Sequence, residues 1–179
     1  QELTQPPFSH DGKTIVYVGG GDHGGRASEV PPNPAGDPIQ PKVQIWAVAA
    51  AGGAPRLIAE GDAPVISPDG TRVAFTRDRR IWTSPLDGSR PPQQAFYARG
   101  TSESPAWAPD SRTLAFVSDR TDHSFIGIFT PGQPIRFISP STSRDSSPVW
   151  SPDGQKLAFL RQPGIGGAPQ SPLKQTIGT

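Results

Sequence analysis

Four aspartates recur along this chain, Asp11, Asp69, Asp110 and Asp153, and they are the first residues whose type and spacing could do chemistry. Repeated carboxylates can hold cations. Each, however, stands inside a turn: His10-Asp11-Gly12, Pro68-Asp69-Gly70, Pro109-Asp110-Ser111 and Pro152-Asp153-Gly154. Proline presets φ at a type I corner, the aspartate side chain accepts from the backbone just beyond it, and glycine takes the left-handed conformation that follows. The pattern therefore favours turn capping over ion binding. Ser111 stands where the other copies have glycine, so the third turn is expected to be strained or differently shaped. Gly12-Lys13-Thr14 ends like a phosphate-binding loop, but the full G-x-x-x-x-G-K-[ST] motif needs a glycine at position 7 and a helix afterwards. Position 7 is proline, which has no N–H to offer phosphate. Ile15-Val16-Tyr17-Val18 follows, and reads as a strand.

Other candidates are fewer. Asp22 and His23, in the run GGGDHGG, could bind a metal or gate a channel. Metal sites want three or four ligands, and two adjacent residues fall short of that, so a flexible loop is the simpler reading. Glu103, Arg144 and Asp145 stand just before the first strands of their repeats, where connections face a rim or an axial opening. They are candidate contacts for a peptide or a partner domain, or else solvated charges. Trp107 and Trp150 could stack a ligand, but they share their repeat position with Phe8 and Ile66, which points to packing. Trp46 and Trp82 match each other on later strands in the same way. His10 stands where two later copies have proline in S-P-D-G, and His123 falls in a hairpin loop. No residue is assigned a catalytic, cofactor-binding or metal-ligating role.

The elements that carry these residues form a repeat. Pro6–Val18, Ala63–Thr76, Ser104–Val117 and Ser147–Leu160 superimpose on the Asp turn, with aspartate spacings of 58, 41 and 43. A large apolar side chain stands three residues before each aspartate. An apolar triplet follows it: Ile15-Val16-Tyr17, Val73-Ala74-Phe75, Leu114-Ala115-Phe116 or Leu157-Ala158-Phe159. Two further strand-like runs complete each of the first three copies, such as Arg80–Ser84 and Gln94–Tyr97. Four short strands per period of about 40 residues predict an all-β chain, a β-propeller of four-stranded antiparallel blades with about three and a half blades present. The blades run over 6–61 with a long polar loop at 19–42, then 63–100, 103–143, and a partial fourth at 145–179. Lys174–Ile177 is the one later run that could start another strand. An arc of this kind leaves sheet faces and edges to be covered by more chain, by a second copy that closes the ring as a homodimer, or in some other way.

Composition narrows the function classes. Proline and glycine total 43 of 179 residues, and the repeat makes that composition consistent with a folded domain. The net charge is +1 with the basic residues scattered, which gives no case for nucleic acid or an anionic membrane. No apolar run is long enough to span a membrane. Without cysteine there is no disulfide framework. Without methionine even at position 1, the chain is expected to be processed or part of a longer one. Gln1-Glu2-Leu3 suits an exported, periplasmic bacterial protein.

The phrase S-P-x-W-S-P-D-G-x-x-L-A-F, best seen at Ser147–Phe159, resembles the WD-like propeller repeat of TolB. It equally resembles the N-terminal propellers of prolyl oligopeptidase-family serine peptidases, including dipeptidyl peptidase IV-like and acylaminoacyl peptidases. The stretch RDSSPVWSPDGQKLAFLRQPGIGGAP, Arg144–Pro169, and the long insertion in the first blade look like bacterial members of the peptidase family. That resemblance implies a propeller that caps an α/β-hydrolase domain of the same parent chain and filters peptide substrates. The TolB side of it implies a protein-binding module with no enzyme attached. The family's nucleophile elbow is G-x-S-x-G. Gly100-Thr101-Ser102-Glu103-Ser104 lacks the second glycine and falls in an expected connection, so no catalytic residue carries over.

Overall fold

A computed structural model describes residues 8–20, 42–164 and, as backbone, 173–178. All regular structure among these residues is β. Three strands, β1 (Thr14–Gly19), β2 (Gln44–Ala49) and β3 (Arg56–Glu60), form an antiparallel meander, with Phe8 bridging Ile15 at its edge. The second sheet is β4 (Asp62–Ile66), β5 (Arg72–Arg77), β6 (Arg80–Pro85) and β7 (Gln93–Gln94), in that order. The third repeats it with β8 (Thr101–Trp107), β9 (Leu114–Asp119), β10 (Ser124–Phe129) and β11 (Arg136–Ile138). Then come β12 (Arg144–Trp150), β13 (Lys156–Gln162) and β14 (Leu173–Gly178), joined to the third sheet by a single parallel bridge between Ser124 and Arg144.

The apolar triplets explain how the sheets stack. Successive side chains on a strand point to opposite faces. Val73 and Phe75 therefore pack with Val16, Ile45 and Ile58 of the sheet before, while Ala74 between them packs with Trp107, Leu114 and Phe116 of the sheet after. The next copy does the same: Leu114 and Phe116 face back, whereas Ala115 and Val117 face forward onto Leu157 and Phe159. A small middle residue lets the following sheet approach closely. Phe75, Phe116, Ile45, Ile81 and Ile126 are fully buried, each contributing roughly 1.5–3 kcal/mol relative to exposure. In the last copy the forward-facing positions Ala158 and Leu160 are exposed.

The tryptophans expected to pack do so, and they also fasten one sheet to the next. Trp107 Nε1 donates to the carbonyl of Val65 at 3.0 Å, and Trp150 Nε1 donates to that of Ala106 at 3.2 Å. Trp46 and Trp82 stand opposite Tyr17 and Phe75. Gly127 holds the matching place opposite Phe116, where a Cβ would run into the Phe116 ring. The Phe116 ring itself takes that space, and Phe96 packs against it, its ring centroid 4.4 Å from that of Phe116 and 4.8 Å from that of Phe129. This corrects one expectation: the run from Gln94 to Tyr97 is not a full strand, because pairing ends with the Ala95 N–H on the Ile81 carbonyl and Phe96 turns toward the core.

One device was not anticipated. The strands β4, β8 and β12 each carry a bulge, and Ala63, Ser104 and Ser147 adopt a positive φ there, of 49°, 51° and 53°. A proline follows every time, so the irregular stretch has one fewer N–H to satisfy.

Candidate functional site

Antiparallel strands divide the molecule into two ends. One end carries the Asp turns. Asp11, Asp69 and Asp153 accept from the N–H two residues on, at 3.0 Å, and from the hydroxyl of Ser9, Ser67 or Ser151 at 2.5–2.6 Å. The same hydroxyl accepts the N–H of Thr14, Arg72 or Lys156 across the turn. The third copy has Ala108 in place of that serine. There Asp110 accepts from the N–H of Arg112 and from both N–H and hydroxyl of Thr113. The carboxylates are thus occupied as caps. Hydrogen bonds from Ser9 and Ser151 hold Asp11 and Asp153 below the ordinary carboxylate value. Burial pushes Asp69 and Asp110 upward, but the N–H and hydroxyl donors around them outweigh it and leave both lowered. The third turn is not differently shaped. Ser111 takes a φ of 56°, close to the 68–71° of Gly12, Gly70 and Gly154. Its hydroxyl accepts the Asp69 N–H of the neighbouring sheet at 2.9 Å, which offsets the strain.

At the other end lies a cleft of about 750 Å³ over the second and third sheets. Three turns build it. Asp78 and Arg79 form the tight link between β5 and β6, with φ of 50° and 57°, both left-handed. Arg99 to Thr101 lead from the second sheet to the third, and Ser102 N–H donates to the Arg79 carbonyl at 3.0 Å. Asp119 to His123 link β9 and β10. Gly100 has a φ of 76°, and a Cβ there would collide with the Asp119 carbonyl, so only glycine lets these two turns meet.

Arg79, Arg99 and Arg120 line this cleft, with Phe125 and Phe137 as its apolar wall. The Arg120 guanidinium lies 5.8 Å and 5.7 Å from the Phe125 and Phe137 ring centroids, and its Nε is buried with no acceptor. Asp119 Oδ1 accepts from the Thr121 N–H at 2.8 Å, and Asp122 Oδ1 pairs with His123 Nδ1 at 2.6 Å. Arg144 donates to the Thr121 carbonyl beside it. Among the described residues no group of three histidine, cysteine or acidic side chains forms a metal site.

The expected site residues separate. Asp22 and His23 lie outside the described residues. Glu103, Arg144 and Asp145 are not in connections before the first strands but within β8 and β12. Glu103 is exposed and lines a smaller hollow of about 250 Å³ shared with Arg77, Arg79 and Ser102. Asp145 is not a solvated charge: its side chain is fully buried. It accepts from Arg161 Nε at 2.7 Å and from a second Arg161 nitrogen at 2.9 Å, and the Arg161 guanidinium also reaches the Ser139 carbonyl. The hydrogen bond to Asp145 raises Arg161 further above its already high value. Ser102, in the imperfect elbow, is buried in β8, away from any strand-to-helix turn.

The arginines of the cleft escaped the sequence reading because each comes from a different repeat connection. The signal available was Asp78-Arg79, a two-residue hairpin link that asks non-glycine residues to take left-handed φ.

No protein-family model matches the chain, and no curated protein does. Solved structures do match. TolB from Acinetobacter baumannii superimposes over 97% of this chain and 40% of its own, with a TM-score of 0.68 and 21% identity. The propeller domain of the Trilobed protease from Pyrococcus furiosus matches over 97% of this chain and 56% of its own, at 0.61 and 18%. The fold is a β-propeller. A puromycin-hydrolyzing peptidase of Mycobacterium tuberculosis, matched over 96% of this chain and 29% of its own at 0.64 and 18%, contains the same arrangement. This propeller segment spans about half or less of the length of the TolB structures it matches. Its sheets are blades, with β4, β8 and β12 the first strands of three of them.

Proposed function

We propose that this chain is the non-catalytic propeller segment of a serine peptidase of the prolyl oligopeptidase family, capping an α/β-hydrolase domain and filtering peptide substrates. The observation that carries this reading is the fold, shared over nearly the whole chain with propellers that the peptidases carry. The buried position of Ser102 supports a segment whose chemistry is supplied elsewhere in the parent chain. A fluorophosphonate probe applied to the full-length parent tests it. Labelling at a serine outside residues 1–179, within G-x-S-x-G, supports the cap. A parent with no such motif and no labelling overturns it.

The second reading is a TolB-like interaction propeller with no enzyme, favoured by the fold match to TolB itself. Asp22, His23, Glu103 and Arg144 are then contacts for a protein partner. The exposed apolar residues Leu57 and Leu160 on the outermost sheets are what a further blade or a second copy would cover. Light scattering on the full-length protein separates these: a monomer at all concentrations excludes the closing homodimer.

A further inference from the structure

We infer that the cleft between the β5–β6 link and the β9–β10 link binds a carboxylate carried by a peptide, either its free C-terminus or an acidic side chain. This deepens the peptide-handling reading above, and its assay is binding rather than turnover. A cleft that binds nothing and a parent that hydrolyses nothing are therefore separate results.

Five observations converge. Arg79, Arg99 and Arg120 come from three separate turns to one cleft. No ion pair within 4 Å engages any of them among the described residues. The two carboxylates on the same rim are already engaged, Asp119 by the Thr121 N–H and Asp122 by His123. Arg120 is stacked on two rings with its Nε buried and unpaired, whereas buried donors in folded proteins are nearly always satisfied. Arg79 is held in a left-handed conformation at the cleft edge, and such outliers cluster where a side chain must be aimed. A guanidinium offers a planar fork that a carboxylate matches with two hydrogen bonds. Phe125 and Phe137 give the neighbouring peptide side chain an apolar wall, and the volume holds a few residues. The net charge of +1 argues against a nucleic-acid ligand.

The test is fluorescence anisotropy with the full-length protein. The probes are a labelled hexapeptide with a free C-terminus, the same peptide amidated, and an amidated version carrying one glutamate. The free-acid or the glutamate peptide should bind at least about tenfold tighter than the neutral amide. Whichever does identifies the source of the carboxylate. Arg79→Gln and Arg99→Gln, both at exposed positions, should each weaken binding about tenfold with an unchanged melting curve. Arg120→Lys, which keeps charge but loses the fork, should weaken it as well. Equal binding of all three peptides, no binding up to millimolar concentration, unchanged affinity in the Arg79→Gln, Arg99→Gln double variant, or inorganic phosphate competing as strongly as the peptide would each overturn the proposal.

Discussion

The two ends of the strands obey different rules. At the Asp-turn end, four copies build one hydrogen-bond scheme, and when Ala108 removes the serine, Thr113 restores a donor to the same carboxylate. At the opposite end, the copies diverge at equivalent positions. Ser102 and Ser118 are cross-strand partners in the third blade, where the fourth has Asp145 and Arg161. The β5–β6 link has two residues, while the β9–β10 link is longer and carries Arg120 and His123. Uniformity marks the end that specifies the fold. Divergence marks the end where each junction has been shaped separately, and the cleft lies there.

The largest expected effect probes that divergence. Asp145→Ala leaves the Arg161 guanidinium beside an empty, buried position, and should cost about 3 kcal/mol in urea unfolding. Replacing both, Asp145→Ser with Arg161→Ser, installs the pair that the third blade carries and should cost clearly less. A double variant as unstable as the single would show that the pair is not interchangeable between blades, and the comparison would fail.

A second test concerns the core between the ends. Gly127→Ala pushes a Cβ into the Phe116 ring, which packs against Phe96. The expected loss is about 2 kcal/mol. A loss under about 0.5 kcal/mol would mean that the third blade can reopen the space which its relatives fill with Trp46 and Trp82.

How much of this was legible beforehand depended on repetition. The apolar triplets announced the strands because a period of two with a small middle residue recurs three times. The tryptophans at 107 and 150 announced themselves by position. Phe96 did not, because its β-rich surroundings spell a strand, and only the rings of Phe116 and Phe129 in the next sheet give it a place in the core. Asp145 read as solvated because its partner Arg161 is sixteen residues on, and only cross-strand register brings them together. Arg79, Arg99 and Arg120 were scattered basic residues until three connections converged. Local chemistry in a repeat is readable from sequence; a site assembled from the irregular links between repeats needs the register of every strand.

A smaller effect tests Ser111. Ser111→Gly relieves a left-handed serine, a gain of about 1 kcal/mol, but loses the bond from the Asp69 N–H, a cost of similar size. The net change in unfolding free energy should be near zero. Ser111→Ala keeps the strain and loses the bond, so it should be the less stable of the two by about 1 kcal/mol. The reverse order would mean that the left-handed backbone at position 111 carries no strain, and a clear loss in neither variant would mean that the hydroxyl does not tie the two blades.

The smallest effect belongs to the repeating end and appears only in acid. Asp11, Asp69, Asp110 and Asp153 all titrate below their ordinary value of 3.8 in the folded chain. A lowered folded value means that the native state holds its proton less tightly than the unfolded one. The caps therefore add stability that is complete above the unfolded value and is lost as the pH falls through the lower folded values. Unfolding free energy attributable to them should be level from neutral pH to about 5 and should decline below about 4. Asp110→Asn removes one of these protonation steps and should flatten the decline slightly, while Arg79→Gln at the far end should leave its shape unchanged. A decline of the same steepness in Asp110→Asn as in the parent would mean that acid sensitivity does not arise from the caps. A change of slope in Arg79→Gln would mean that the two ends are electrostatically coupled, and the division between a structural end and a binding end would have to be redrawn.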